Sequence, residues 1–524
     1  MFTSWAKLRR LLRAGRVLGS HGVLPPKEWE SFVPPQAKLL QYLFPKTQSL
    51  AQGRTGERLA RALSKLGPSY IKAGQFLATR PDVIGTDIAR DLSELQDRMP
   101  PFPLDEAKRI LSEELDPAHV ALVGDIGEAI AAASIAQVHK VALKPNADGT
   151  PQYRALKILR PGIEQEFASE LQAFAWAARN AERFGGEDVR RMKPTAGVET
   201  LARSVVIEMD LRLEAAACVE MAKNIAKDPD FRVPAVDWDF TTRRVLATEW
   251  IDATSLKDID ALKAQGHDLK RIATAVIQNF LRHALRDGFF HADMHPGNLF
   301  VDKAGKLVAV DFGIMGRLDA ISRRFMAETL GGFLARDYRR VADIHLQVGF
   351  VPPRHSVEDF AQALRAIGEP IFGRPASNMS MARLLTQLFE VTRLFDMEMQ
   401  PQLVMLQKTM VVVEGVARQL DPEHSIWESA RPVVEQWMID QVGPQARLNQ
   451  AAEGMSTLGR AIAALPEVLK NAEQVASHLT TNGLRLHPDS TEAIARAQSQ
   501  RTQHVRVAIW IGALALAVLA AAQF

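Results

Sequence analysis

The chain has 524 residues, 47% of them apolar and 24% charged, and a formal net charge of only +3. That length and apolar content can bury a large core in a two-lobed domain with extensions, and the near balance of charge argues against nucleic-acid binding, which calls for a basic face or a recognised module. Cys218 is the single cysteine, so an internal disulfide framework is excluded and a reducing compartment fits; its alanine neighbours point to packing, not redox chemistry.

At the N-terminus, Trp5, Leu8, Leu11, Leu12 and Val17 alternate with Lys7, Arg9, Arg10, Arg13 and Arg16, the pattern of a basic amphipathic helix. It lacks the uninterrupted apolar core of a signal peptide. Contact with anionic lipids and packing on the protein's own lobe both remain open. Further on, Ala131-Ala132-Ala133-Ser134-Ile135-Ala136-Gln137-Val138 leads into a strand starting near Gln137, and a turn-rich connection joins it to a second strand, Tyr153-Arg-Ala-Leu-Lys157-Ile-Leu-Arg160. Alternation puts Ala155, Lys157 and Leu159 on one face and Leu156 and Ile158 on the other. A lysine among apolar strand neighbours is costly unless paired. Glu166 and Glu170 follow shortly as candidate partners.

Val245 to Glu249 is expected as a buried strand entering a polar hinge, where backbone groups of Glu249 to Ile251 could hydrogen-bond adenine. A helix over about 269–286 carries Ile272, Val276, Phe280 and Leu285 at helical spacing, with Gly288 as its stop. The densest chemistry comes next: His291-Ala-Asp293-Met-His295-Pro-Gly-Asn298, a predicted hairpin, then Asp311-Phe-Gly313. Asp293 precedes Asn298 by five positions, the separation in the kinase catalytic loop, where the Asp orients the acceptor and the Asn holds Mg²⁺; Asp311 is then the principal Mg²⁺ ligand. Two histidines four apart could bind zinc, but Pro296-Gly297 argues against a continuing helix and no HExxH pattern is present. In this frame Lys157 is the phosphate-neutralising lysine, and Ala131 to Val138 stands where protein kinases carry a glycine-rich phosphate loop, here without its glycines. After Gly316 the pattern turns helical, through Ile321, Phe325, Leu330 and Phe333, with no long activation segment to seat a peptide; a small molecule, a lipid-linked compound or water is favoured as acceptor. Residues 445–503 are polar and alanine-rich. Residues 507–524 form an uncharged stretch of eighteen, with Arg501 and Arg506 before it, and are expected to enter a membrane from the cytoplasmic side.

Together these segments, over roughly residues 63–443, resemble the UbiB family of atypical kinase-like proteins linked to ubiquinone biosynthesis. Lys72-Ala-Gly-Gln75 is similar to its KxGQ signature and Glu208-Met-Asp210 to its ExD motif. Lys72 and Gln75 share a helix face, with Ala73 and Gly74 leaving room for a close backbone. The resemblance implies that this face covers the nucleotide site, whether to inhibit or assist. Glu208 and Asp210 point about 200° apart on a helix, and Glu208 is expected as the nearer partner of Lys157. The implied fold is α+β, two-lobed and kinase-like: a helical extension over 1–110, an N-lobe over 111–251, a C-lobe over 252–443, a linker over 444–504 and a transmembrane segment over 505–524. The family commonly carries two C-terminal membrane segments, whereas this chain shows one. ATP and Mg²⁺ are the implied cofactors; membrane lipids, quinone precursors and ubiquinone-biosynthesis enzymes are the implied partners. A non-catalytic, nucleotide-switched scaffold for prenylated intermediates is the alternative, and a phosphotransferase for soluble small molecules a third reading.

Overall fold

The central strands of the upper lobe form because β-branched and aliphatic residues alternate between two apolar layers. The computed structural model describes residues 2–23, 52–144, 152–372 and 400–442, apart from 79, 94, 96–98, 185, 187–188 and 191, with a few positions between 387 and 397. Strands β1 (Val123–Ala132), β2 (Ala136–Leu143), β3 (Gln152–Leu159) and β5 (Val245–Glu249) make an antiparallel sheet in the order β1-β2-β3-β5. Leu156 and Ile158 of β3 pack with Ile110 and Leu111 of a covering helix (Leu104–Glu114). Leu159 faces the opposite layer, with Ile135, Phe167, Val205 and Leu211. The alternation expected for β3 is therefore present, and the strand is internal to the sheet.

The helices ahead of this lobe are α1 (Phe2–Ser20), α2 (Thr55–Leu66), α3 (Pro68–Ala78), α4 (Pro81–Ile84) and α5 (Thr86–Ser93), then α6 (Leu104–Glu114, just described) and α7 (Pro117–Val120). Ala14, Leu63, Ile71, Ile88 and Leu92 build their own apolar cluster. Gly74 makes the close approach its residue type foretold: a Cβ there would stand 2.6 Å from a Leu63 methyl and 2.8 Å from one of Leu95. After β3 come α8 (Ile163–Phe184), α9 (Pro194–Glu208) and α10 (Leu211–Asn224), which cover the inner face of the sheet.

The lower lobe is mainly helical. It contains α11 (Ile259–Ala264), α12 (Leu269–Arg282), α13 (Ala320–Ala335), α14 (Tyr338–Gln347), α15 (Val357–Phe372), α16 (Pro401–Leu420) and α17 (Ile426–Val442). Short strands β4 (Phe231–Arg232), β6 (Ala253–Ser255), β8 (Leu299–Asp302) and β9 (Leu307–Ala309) form a sheet in the order β4-β9-β8-β6, and β7 (Phe289–His291) pairs with β10 (Met315–Arg317). The Asp268 carboxylate caps α12 by accepting from the N–H groups of Lys270 and Arg271. Ile272, Val276 and Phe280 are all at most 1% exposed. The helix continues as one π turn over His283–Asp287 and stops at Gly288, whose φ of 64° is the left-handed conformation that glycine adopts without strain. Among the described residues no helix is long and apolar enough to cross a membrane; the expected segment at 507–524 lies outside the described residues.

The Phe280 ring packs edge-on to Phe290, centroids 5.7 Å apart. Phe280→Ala is expected to cost about 3–5 kcal/mol, the usual toll of emptying a fully buried aromatic site. Urea unfolding of the full chain measures it; a change below about 1 kcal/mol would mean that the site collapses, contrary to this packing.

Candidate active site

Because β3 is internal, the Lys157 side chain leaves the sheet into the interior instead of reaching water. Its Nζ lies 2.9 Å from both oxygens of Glu214, on the first turn of α10, and 2.9 Å from Oδ1 of Asp311, from the lower lobe. Lys157 and Glu214 are largely buried, whereas Asp311 is half-exposed at the cleft. Burial disfavours the Lys157 ammonium, but the charges of Asp311 and Glu214 outweigh it and hold the pKa above its ordinary value. For Asp311 burial again opposes ionisation, and the charge of Lys157 overcomes it, so the carboxyl stays well below the usual range. Glu214 goes the other way: desolvation dominates, Lys157 offsets part of it, Asp311 adds to it, and the pKa is raised to about 7.

This arrangement corrects the expected pairing. Glu208, at the end of α9, bonds not Lys157 but Lys72 of α3, at 2.7 Å with both side chains mostly buried. Glu170 does not reach Lys157 either: it accepts from the Tyr70 hydroxyl at 3.0 Å and pairs with Arg10. Asp210 caps α10, accepting from the Arg212 N–H and pairing with its guanidinium at 2.7 Å, which lowers its pKa. Gln75 is half-buried on α3, and its side chain makes no hydrogen bond among the described residues. No motif or spacing in the sequence marks Glu214 over the carboxylates at 208 and 210, because the helix phase that aims position 214 inward is set only by packing.

The catalytic-loop spacing does bring its residues together. The β8–β9 hairpin pairs Leu299 with Ala309, and the Val310 N–H donates to the Asn298 carbonyl at 2.9 Å. Asn298 Nδ2 donates to the Asp293 carbonyl at 3.0 Å. His291 Nε2 donates to the Val310 carbonyl and its Nδ1 accepts the Asp293 N–H, each at 3.1 Å, which requires a neutral ring with the proton on Nε2. Burial lowers the His291 pKa and agrees with that state. Asp311 has φ of +63°, a strained conformation for a non-glycine residue that is worth about 1–3 kcal/mol.

The alanine-rich loop, which lacks the conformational freedom of glycines, is held by hydrogen bonds to its surroundings. Ala131 and Ala132 end β1, Ala136, Gln137 and Val138 begin β2, and the Ala133 N–H closes the turn onto the Ala136 carbonyl at 2.8 Å. Arg160 donates to the carbonyls of Ala133 and Pro100, and the Met99 N–H donates to that of Ala132. The N–H groups of Ser134 and Ile135 make no hydrogen bond among the described residues, and the fully buried Ser134 hydroxyl has no partner there. The side chain of Gln137, a residue expected to line the cofactor site, clamps the Phe102 backbone and bonds His139. At the hinge the Glu249 N–H is taken by the Ala235 carbonyl and its side chain by Arg232. Among the described residues the Ile251 backbone makes no hydrogen bond.

The profile of the ABC1 atypical kinase-like domain matches residues 94–345, and that of the UbiB helical domain matches 364–425. The chain is 38% identical over 422 residues to the probable protein kinase UbiB of Marinobacter nauticus, covering 80% of this chain and 76% of that protein. It is 36% identical over 515 residues to the probable protein kinase UbiB of Aeromonas hydrophila, covering 97% of this chain and 92% of that protein. This chain belongs to the UbiB family. A solved complex of Rv3197 with erythromycin from Mycobacterium tuberculosis is similar with a TM-score of 0.48 at 23% identity, covering 71% of this chain and 93% of that one. The UbiB-family fold seen here is kinase-like, with mixed helix and sheet.

Two outcomes follow. Glu214 binds its proton more tightly in the folded state, so its contribution to stability is full below its ordinary 4.5 and is lost as pH rises through about 7. Glu214→Gln should therefore remove a downward slope in unfolding free energy between those values, measured by denaturant titration at several pH values; parallel curves would refute the assignment. For Lys72 and Glu208, a double-mutant cycle on Lys72→Met and Glu208→Gln should return a favourable coupling of about 1–3 kcal/mol, and a coupling near zero would show that the pair is not formed in solution.

Proposed function

We propose that this chain is an ATP-binding, Mg²⁺-dependent atypical kinase or ATPase that supports ubiquinone (coenzyme Q) biosynthesis at the cytoplasmic face of a bacterial-type inner membrane. The observation that carries the catalytic part is the buried Lys157 held at 2.9 Å by both Glu214 and Asp311, because a permanently protonated, oriented amine at that place is what nucleotide phosphates require. Membership of the UbiB family supports the link to ubiquinone.

The donor chemistry fits the cofactors. Asn298 and Asp311 offer an amide oxygen and a carboxylate, the oxygen ligands that Mg²⁺ takes, leaving further positions to phosphate and water. Bound Mg²⁺ neutralises charge on the phosphates. Lys157 would engage the phosphates, the free N–H groups of Ser134 and Ile135 are donors available to them, and the Ile251 backbone would meet adenine. Asp293 would orient the acceptor, its backbone held by His291 and Asn298. From Phe312 the chain passes through β10 and enters α13 at Ala320, which supports an acceptor smaller than a folded peptide: a lipid-linked compound, a small phenol or water. Residues 507–524 would carry the anchor. The N-terminal helix α1 adds exposed Arg9, Leu12, Arg13 and Arg16, a face suited to anionic lipid.

The test is ATP hydrolysis by the purified full chain with Mg²⁺, with and without anionic-lipid vesicles and a phenolic quinone-precursor analogue. Asp293→Asn should lower turnover by about 10²–10⁴-fold with nucleotide affinity kept, and Asp311→Asn should abolish Mg²⁺-dependent nucleotide binding. Nucleotide binding by the unmodified protein with no turnover under any of these conditions would overturn the catalytic reading in favour of the scaffold.

A further inference from the structure

The peptide unit between Ala292 and Asp293 is clamped at both polar ends. Its N–H donates to His291 Nδ1 at 3.1 Å, and its carbonyl, that of Ala292, accepts the hydroxyl of Thr409 at 3.1 Å. One turn of loop further, the Asp293 carbonyl is held by Asn298 at 3.0 Å. His291 and Asn298 belong to the catalytic-loop motif itself. Thr409 does not: it lies 117 residues away on α16, inside the segment matched by the UbiB helical domain, whereas the loop lies inside the ABC1 match.

A threonine within a helix commonly turns its hydroxyl back to the carbonyl four residues earlier, and Met405 stands at 2.9 Å for that purpose. Two facts favour the loop as its true acceptor. By helix geometry the Met405 carbonyl already receives the Thr409 backbone N–H. The Ala292 carbonyl, on a residue only 5% exposed, receives no backbone N–H among the described residues. A buried carbonyl left without a donor is destabilising, and the Thr409 hydroxyl, on a residue 1% exposed, is placed to supply one. The helix is not free to drift from this contact, since Leu406, Met410 and Val413 of α16 share one apolar core with Phe290, Ala292 and Met294.

We propose that Thr409 is a positioning residue for the catalytic loop: its hydroxyl fixes the Ala292–Asp293 peptide plane and so couples the family's helical segment to the carboxylate that orients the acceptor. The inference rests on the catalytic reading of Asp293 given above. It deepens that reading by assigning part of the alignment of Asp293 to a helix outside the kinase-like domain.

The experiment uses the full-length protein with Thr409→Val, which keeps shape and removes the donor, and with Thr409→Ser and Thr409→Ala. Turnover, KM for ATP and equilibrium nucleotide affinity are read for each. Thr409→Val is expected to lower kcat by about 10–100-fold, the scale of an ångström-level misplacement of a reacting group, with KM and nucleotide affinity unchanged; Thr409→Ser should keep most of the turnover. If the valine variant does not fold, the serine and alanine pair decides, with serine active and alanine not. Wild-type kcat in Thr409→Val, or a serine variant as impaired as alanine, overturns the positioning role while leaving the catalytic reading intact. A wild-type protein that binds nucleotide without turning it over overturns both.

Discussion

A lysine ammonium inside a sheet must be neutralised where it stands, because taking an ion out of water costs several kcal/mol even after relaxation. Lys157 meets that demand from two directions, through Glu214 on the first turn of α10 and through Asp311 beyond the β8–β9 hairpin. One partner belongs to the upper lobe and the other to the lower, so the same charge that would bind phosphate also ties the lobes together. With two carboxylates around one cation, only one can be fully compensated. Asp311, bonded to Lys157 and partly open to water, keeps its charge, while the more deeply buried Glu214 is the one pushed toward protonation.

The N-terminal extension is attached by the same physics. Lys72 finds Glu208, and Glu170 collects both the Tyr70 hydroxyl and the Arg10 guanidinium. The helix α8, which in the usual kinase order would send a carboxylate to the lysine of β3, spends Glu170 on α1 and α3 instead. Its place is taken by α10, whose first turn is set by the Asp210 cap. Each of these pairs is costly to break singly, since removing one partner leaves a buried charge uncompensated. The extension is thus locked to the upper lobe through side chains of α1, α3, α8 and α9, with Gly74 allowing the close approach of Leu63 and Leu95. The alanine-rich loop is tied to the same region through Met99, Pro100 and Arg160, which accounts for a loop that needs few glycines: its shape is imposed from outside by hydrogen bonds and not chosen from a broad set of backbone conformations.

Much of this was legible along the chain wherever the interacting groups are neighbours in sequence. Alternation on β3, the helical spacing of Ile272, Val276 and Phe280, the stop at Gly288 and the hairpin after Asn298 all come from short-range rules that tertiary packing reinforces. The carboxylate chosen by Lys157 was not legible. Glu166, Glu170, Glu208 and Glu214 are chemically alike, and which one turns inward depends on where three helices lie against the sheet. The packed structure also uses the Gln137 side-chain amide on the Phe102 backbone and the Glu249 N–H on the Ala235 carbonyl, contacts that no short-range rule announces.

By itself the sequence determined the chemical inventory, the lysine-bearing strand, the Asp293 to Asn298 spacing and the Asp311 that follows, because local backbone periodicity and loop length govern residues close together in the chain. Only the tertiary structure decided that Glu214 serves Lys157, that Glu208 serves Lys72 and that Thr409 reaches the catalytic loop from 117 residues away. Those contacts depend on helix phase and on which faces are buried together, and a buried polar group takes whichever partner the packing of distant segments brings within reach.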